Sequence, residues 1–200
     1  FTTRRVNAIQ NGEAIFSCSI SFQKREKGLS HQIQMPDILG PEKLKNDSEL
    51  RKEMKTKIPK EYRPMWLRER EIETRQVEPV DMLNAKKLPP YRSTWMKPTG
   101  KLPTNERIHQ ALLLYVSDMG LLGAAVNPHE VNFMSKKFQS ASLDHIMWFH
   151  GKVNFNNWVL HHMHSPISSN ARGFSRGSMY TKSGKLIAST AQEGLMRVWD

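Results

Sequence analysis

The sequence predicts an α+β fold in which one apolar helix is set against antiparallel strands. Three observations carry this. Asn11-Gly12 separates two β-rich runs near the start, the residue pair that best tolerates the positive φ of a tight hairpin. Ile108, Leu112, Tyr115, Val116 and Met119 recur at helical spacing, with Leu113 and Leu114 adding apolar bulk. After that helix the chain alternates as strands to its end.

Taken in order, residues 3–9 and 14–22 form the first hairpin. A lone hairpin is not stable in water, so its partners lie in the rest of the chain or in sequence upstream. The opening Phe1-Thr2-Thr3-Arg4-Arg5-Val6 has neither an initiator Met nor the apolar core of a signal peptide, and reads as the interior of something larger. Residues 24–45, with Pro36, Gly40 and Pro41, read as a linker. A short helix over 47–57 takes Asp47 or Ser48 as N-cap and ends before Pro59 and Pro64. Ile72 to Val77 and Tyr91 to Met96 alternate as strands. Thr104 is the expected cap of the apolar helix, Glu106 suits its first turn, and Gly120 and Gly123 are stop signals. Ser142 to His150 reads as one strand, with Ser142, Asp144, Ile146 and Trp148 on one face. Asn157 to His164 is the next, and 173–181 with 185–192 form a closing hairpin around Lys182-Ser183-Gly184.

Composition narrows the function. The 200 residues carry 30 Lys+Arg against 19 Asp+Glu, a net charge of +11, and a pI near 9.9. That favours an anionic partner: nucleic acid, an acidic membrane surface or a phosphorylated small molecule. The charge is concentrated between Lys24 and Arg107, with 20 basic and 13 acidic residues. Residues 108–200 hold only five carboxylates: Asp118, Glu130, Asp144, Glu193 and Asp200. No recognition-helix pattern, zinc-finger spacing or aromatic RNA-binding signature is present, so nucleic acid is not the expected partner. No run of 18 apolar residues occurs, so no membrane-spanning helix is expected. The single cysteine, Cys18, excludes an internal disulfide framework and a multi-cysteine zinc site, and reads as packing. His145, His150, His161, His162 and His164 have no acidic or cysteine spacing that would make a metal centre, and serve an acyl-CoA site or packing. No cofactor or metal is expected.

Several stretches resemble the acyl-CoA thioesterase II family of bacteria and peroxisomes. They are FTTRRVNAIQNGEAIFSCSISFQ (1–23), LLLYVSD (112–118), SLDHIMWFH (142–150), SNARG (169–173) and AQEGLMR (191–197), in the family's order and spacing. The resemblance implies a double hot-dog fold, in which a long helix is wrapped by a curved antiparallel sheet. It implies that 1–23 are the last strands of a first, incomplete hot-dog domain, 24–68 a charged linker or insertion, and 69–200 the second domain. The implied activity is hydrolysis of acyl-CoA to free fatty acid and CoA. The alternative is a hot-dog fragment that binds acyl-CoA without turnover. A homo-oligomer is implied, peroxisomal if the source is eukaryotic and cytoplasmic otherwise. The terminal Val198-Trp199-Asp200 is not a Ser-Lys-Leu type address.

In that family an aspartate, a serine or threonine, and a glutamine hold the attacking water, and these roles fall on Asp118, Ser142 and Gln192. A thioester is already activated, so water needs orientation and a proton acceptor rather than a covalent nucleophile. Asp118 suits the acceptor. Its expected burial on an apolar helix would raise its pKa, and donors from Ser142 and Gln192 would oppose that. Asp144 is expected to be structural. Arg172 and Arg176, alternate basics on a strand, are the candidates for CoA phosphate contacts. Trp148, Phe149 and Trp158 are expected in the core.

Overall fold

The computed structural model describes residues 1–81, 85–131, 133 and 135–199. The chain divides into two compact units, Phe1–Gln32 and Ile33–Asp200. The first is the hairpin: β1 (Thr2–Gln10) pairs antiparallel with β2 (Glu13–Phe22). The turn is made by Asn11 at φ 51° and Gly12 at φ 83°, the conformation for which Asn-Gly is suited. Within this unit Cys18 is half-buried.

The second unit is built on a seven-stranded antiparallel sheet. Its strands are β3 (Ile72–Gln76), β4 (Tyr91–Pro98), β5 (Phe138–Ser142), β6 (Ile146–Phe149), β7 (Val159–Ser169), β8 (Arg172–Thr181) and β9 (Leu186–Val198). The order is β3-β4-β7-β8-β9-β5, with β6 also on β9. One face of this sheet carries the helical stretch α3 (Glu106–Ser117) and α4 (Leu121–Val126). Leu113 and Val116 pack with Met96, Val159, Phe155, Met179 and Ala188, while Leu121 and Ala124 pack with Met163. The helix-on-antiparallel-sheet arrangement is the one expected of a hot-dog unit.

Several details correct the sequence expectations. The cap of α3 is Asn105, whose side chain accepts from Arg107 N at 3.1 Å, and not Thr104. The buried face of α3 is His109, Leu113, Val116 and Ser117, whereas Ile108, Leu114 and Tyr115 are exposed. Gly120, at φ +81°, follows the end of α3 as expected, and α4 starts directly after it. Gly123 lies inside α4, where a Cβ would stand 2.2 Å from Arg92 Nη1, so a missing side chain and not a stop explains it. By length and apolarity alone, Glu106–Val126 would suffice to cross a membrane. Here it is a core helix whose buried side chains meet the sheet.

The charged segment before β3 is only partly a linker. Met35, Ile38 and Leu44 pack on Trp95, Leu160 and Tyr180, which occupy the sheet face opposite the helix. Trp95 Nε1 donates to Leu39 O at 2.9 Å, and Arg75 Nη1 donates to Pro41 O at 2.7 Å. Helix α1 (Asp47–Glu53) is capped by Asn46 in a capping box with Glu49, in place of Asp47 or Ser48. A second short helix, α2, spans Arg63–Trp66.

The strand expected over 142–150 is interrupted. Ser142 pairs with Gly194 and Ile146 with Ala191, four steps along one strand against three along β9. That one extra residue is a β-bulge. Leu143 N and Asp144 N both donate to Glu193 O, and Asp144 Oδ1 accepts from Glu193 N at 2.8 Å. The Asp144 carboxylate thus holds the bulge, the structural role expected of it. Trp148 and Phe149, expected in the core, are 50% and 39% exposed, while Trp158 is half-buried against Arg75 and Lys97.

Candidate active site

Asp118 is the C-cap residue of α3, two residues before Gly120. Ser142 is the last residue of β5, just before the bulge. Gln192 projects from mid-β9 on the helix-covered face, cross-strand from Ser175. The three come together. Ser142 Oγ donates to Asp118 Oδ1 at 3.2 Å, and Gln192 Nε2 donates to the same oxygen in a short contact. Both donors fall on Oδ1. Gln192 is 2% exposed, and its Oε1 is buried without a partner among the described residues. Asp118 and Ser142 are exposed, contrary to the burial expected for Asp118. The helix apolarity that suggested burial belongs to the sheet-facing residues, whereas Asp118 falls on the exposed face with Ala111, Leu114 and Tyr115.

A fourth side chain joins them. His145 lies in the bulge, with Nε2 2.7 Å from Ser117 Oγ and Nδ1 3.5 Å from Gln192 Nε2. Burial holds its imidazole below the ordinary value, against the pull of Asp118 and Asp144. Period-2 reasoning could not place it here, because the bulge moves it off the strand pattern. The signals available were its adjacency to Asp144 in SLDH and the serine directly before Asp118.

The remaining candidates lie elsewhere. Arg172 and Arg176 are on the sheet face opposite Gln192, because the register pairs Ser175, not its neighbours, with Gln192. Arg172 Nε is paired with Glu193 at 2.9 Å, and Arg176 lies over the Phe174 ring. Of the other histidines, His161 is fully buried and 3.3 Å from Thr190 Oγ1. His162 Nδ1 is 2.8 Å from Ser93 Oγ, and His150 Nε2 is 2.8 Å from Ser189 Oγ. Among the described residues no three His, Cys, Asp or Glu side chains gather as a metal-ligand set.

Residues 65–195 match the family model described as acyl-CoA thioesterase. The chain is 34% identical over 197 residues to acyl-CoA thioesterase 2 of Haemophilus influenzae, covering 98% of this chain and 69% of that protein. The chain belongs to the acyl-CoA thioesterase family. Acyl-coenzyme A thioesterase 8 of Mus musculus is 33% identical over 210 residues, covering 99% of this chain and 64% of its own length. The crystal structure of an acyl-CoA thioesterase II from Mycobacterium marinum superimposes with a TM-score of 0.76 at 32% identity, covering 98% of this chain and 68% of that one. The chain therefore spans about two thirds of these thioesterases, and bacterial and mammalian members are both among its relatives.

Proposed function

We propose that this chain carries the water-activating half of an acyl-CoA thioesterase, with Asp118, Ser142 and Gln192 as the groups that hold and deprotonate the water. The observation that carries this reading is the convergence of the three on Asp118 Oδ1 from a helix end, a strand end and the middle of a neighbouring strand. Two donors on one carboxylate oxygen orient the group and leave Oδ2 to accept a proton. Water so placed attacks the thioester carbonyl carbon as its proton passes to Asp118. The tetrahedral intermediate collapses, the carbon–sulfur bond breaks, the CoA thiolate takes the proton held by Asp118, and the free acid leaves. No covalent acyl-enzyme is needed, because the thiolate is a good leaving group.

Residues 1–23 are read as the last strands of a first hot-dog domain, 24–68 as the charged segment between domains, and 69–200 as the second domain. A homo-oligomer, in the peroxisome if the source is eukaryotic, completes the proposal. Arg172 and Arg176, on the far face of the sheet, are no part of the water-activating cluster.

Release of thiol from a panel of acyl-CoA esters tests the reading. Asp118→Asn and Gln192→Ala should each lower kcat by roughly 10²–10⁴-fold, the usual worth of a positioned acid–base group, and Asp118→Asn, at an exposed position, should do so without changing the unfolding midpoint. Full rate in Asp118→Asn would sink the mechanism. Binding of acyl-CoA with no thiol release would make the chain a binding unit.

A further inference from the structure

We propose that His145 is a positioning residue for this reaction: held as its Nε2–H form between Ser117 and Gln192, it fixes the amide that orients Asp118. The inference rests on the thioesterase reading above and adds a residue to it. The proton count on Ser117 decides the ring's form. Ser117 is fully buried, and its Oγ lies 2.7 Å from Leu114 O and 2.7 Å from His145 Nε2. A carbonyl can only accept, so the single hydroxyl proton of Ser117 goes to Leu114 O. The hydroxyl then accepts from His145, which places the imidazole proton on Nε2. Nδ1 keeps its lone pair, and this faces the Gln192 amide nitrogen at 3.5 Å.

Gln192 Nε2 has two hydrogens. One points at Asp118 Oδ1, and the other has His145 Nδ1 as its acceptor. The amide is thereby fixed with its nitrogen toward the carboxylate and its oxygen turned away, which keeps the second donor on Asp118 Oδ1. The bulge supplies the ring's position, and Asp144 pins the bulge through Glu193 N.

Protonation of Nδ1 would turn an acceptor into a donor facing another donor. The amide would have to swing, and Asp118 would lose one of its two donors. The charged and titratable groups around the ring are Asp118 at the end of α3, Asp144 on its own bulge, and His161 on β7. The two carboxylates favour the protonated ring, while burial opposes it and prevails. The ring is therefore neutral at pH 7, and the arrangement is lost on acidification.

Two experiments decide this. Long-range ¹H–¹⁵N correlation spectra of the full chain should show His145 at pH 7 as the Nε2–H tautomer, a readout that does not depend on turnover. An Nδ1–H tautomer overturns the proposal. In thiol-release kinetics, His145→Leu should lower kcat by about 10–100-fold with KM nearly unchanged, the scale of a small misplacement at a reacting centre. His145→Asn, whose Oδ1 stands where Nδ1 stood and does not titrate, should recover most of that loss. Its acid limb should lie at lower pH than that of the unaltered chain. Unchanged kcat in His145→Leu, or an unchanged acid limb in His145→Asn, overturns the proposal. If the unaltered chain releases no thiol from any acyl-CoA, the thioesterase reading fails, and the tautomer still decides the ring's placement. If His145→Leu does not fold, His145→Asn and the spectra decide.

Discussion

Acidification should destabilise this fold most strongly through one ring, His161. It is fully buried, its Nε2 touches Thr190 Oγ1 at 3.3 Å, and its Nδ1 has no partner among the described residues. Burial, with the charge that His145 and His162 would carry, pushes its pKa down to about 3 from 6.5. The folded value lies below the unfolded one, so the unfolded chain binds more protons between them. The stability of the neutral buried ring is complete above about pH 6.5 and is lost as pH falls toward about 3. Each pH unit in that window removes about 1.4 kcal/mol. By about pH 4.5 the loss is roughly 3 kcal/mol, a large part of the roughly 5–15 kcal/mol net stability of a folded domain. His161→Gln keeps a polar partner for Thr190 and cannot titrate. Urea unfolding of both proteins at pH 7 and near pH 4.5 is the assay. The unaltered chain should lose about 3 kcal/mol more than His161→Gln at equal denaturant slope, since the other histidines are common to both. Equal losses would refute the reasoning.

Two packing predictions go with it. Gly177→Ala would place a Cβ 2.2 Å from His161 Nε2 and 2.4 Å from Thr190 Oγ1, so the ring must move and its hydrogen bond break. Denaturant unfolding should show a loss of about 2–4 kcal/mol from overpacking and an unsatisfied buried polar group, and a change below about 0.5 kcal/mol would contradict it. Leu113, 0% exposed at the centre of the helix–sheet core, should cost about 2–5 kcal/mol as Leu113→Ala, read as a lower unfolding midpoint.

The candidate site was legible in the sequence as residue types but not as a geometry. Asp118, Ser142 and Gln192 stood out through the motifs around them, and the structure brings all three to one carboxylate oxygen. His145 was visible only as one of several histidines. A strand pattern places side chains by strict alternation, and the bulge between Ser142 and Ile146 breaks that alternation where His145 stands. The exposure of Asp118 does not follow from composition for a related reason: apolar content reports that a helix is buried, not which of its faces meets the sheet.

What the amino-acid order determined alone is what depends on neighbours a few residues apart. The Asn11-Gly12 turn, the strand alternation of β3 and β4, and the helical period of α3 are set by local φ/ψ preference and side-chain spacing. Tertiary structure decided the rest. It determined that Gly123 makes room for Arg92, that Met35 and Ile38 pack on the sheet face opposite the helix, and that Ser117, His145 and Gln192 form one hydrogen-bonded line. Each of these joins positions about 28 or more residues apart, and only close packing and the satisfaction of buried polar groups select among the many ways such positions could meet.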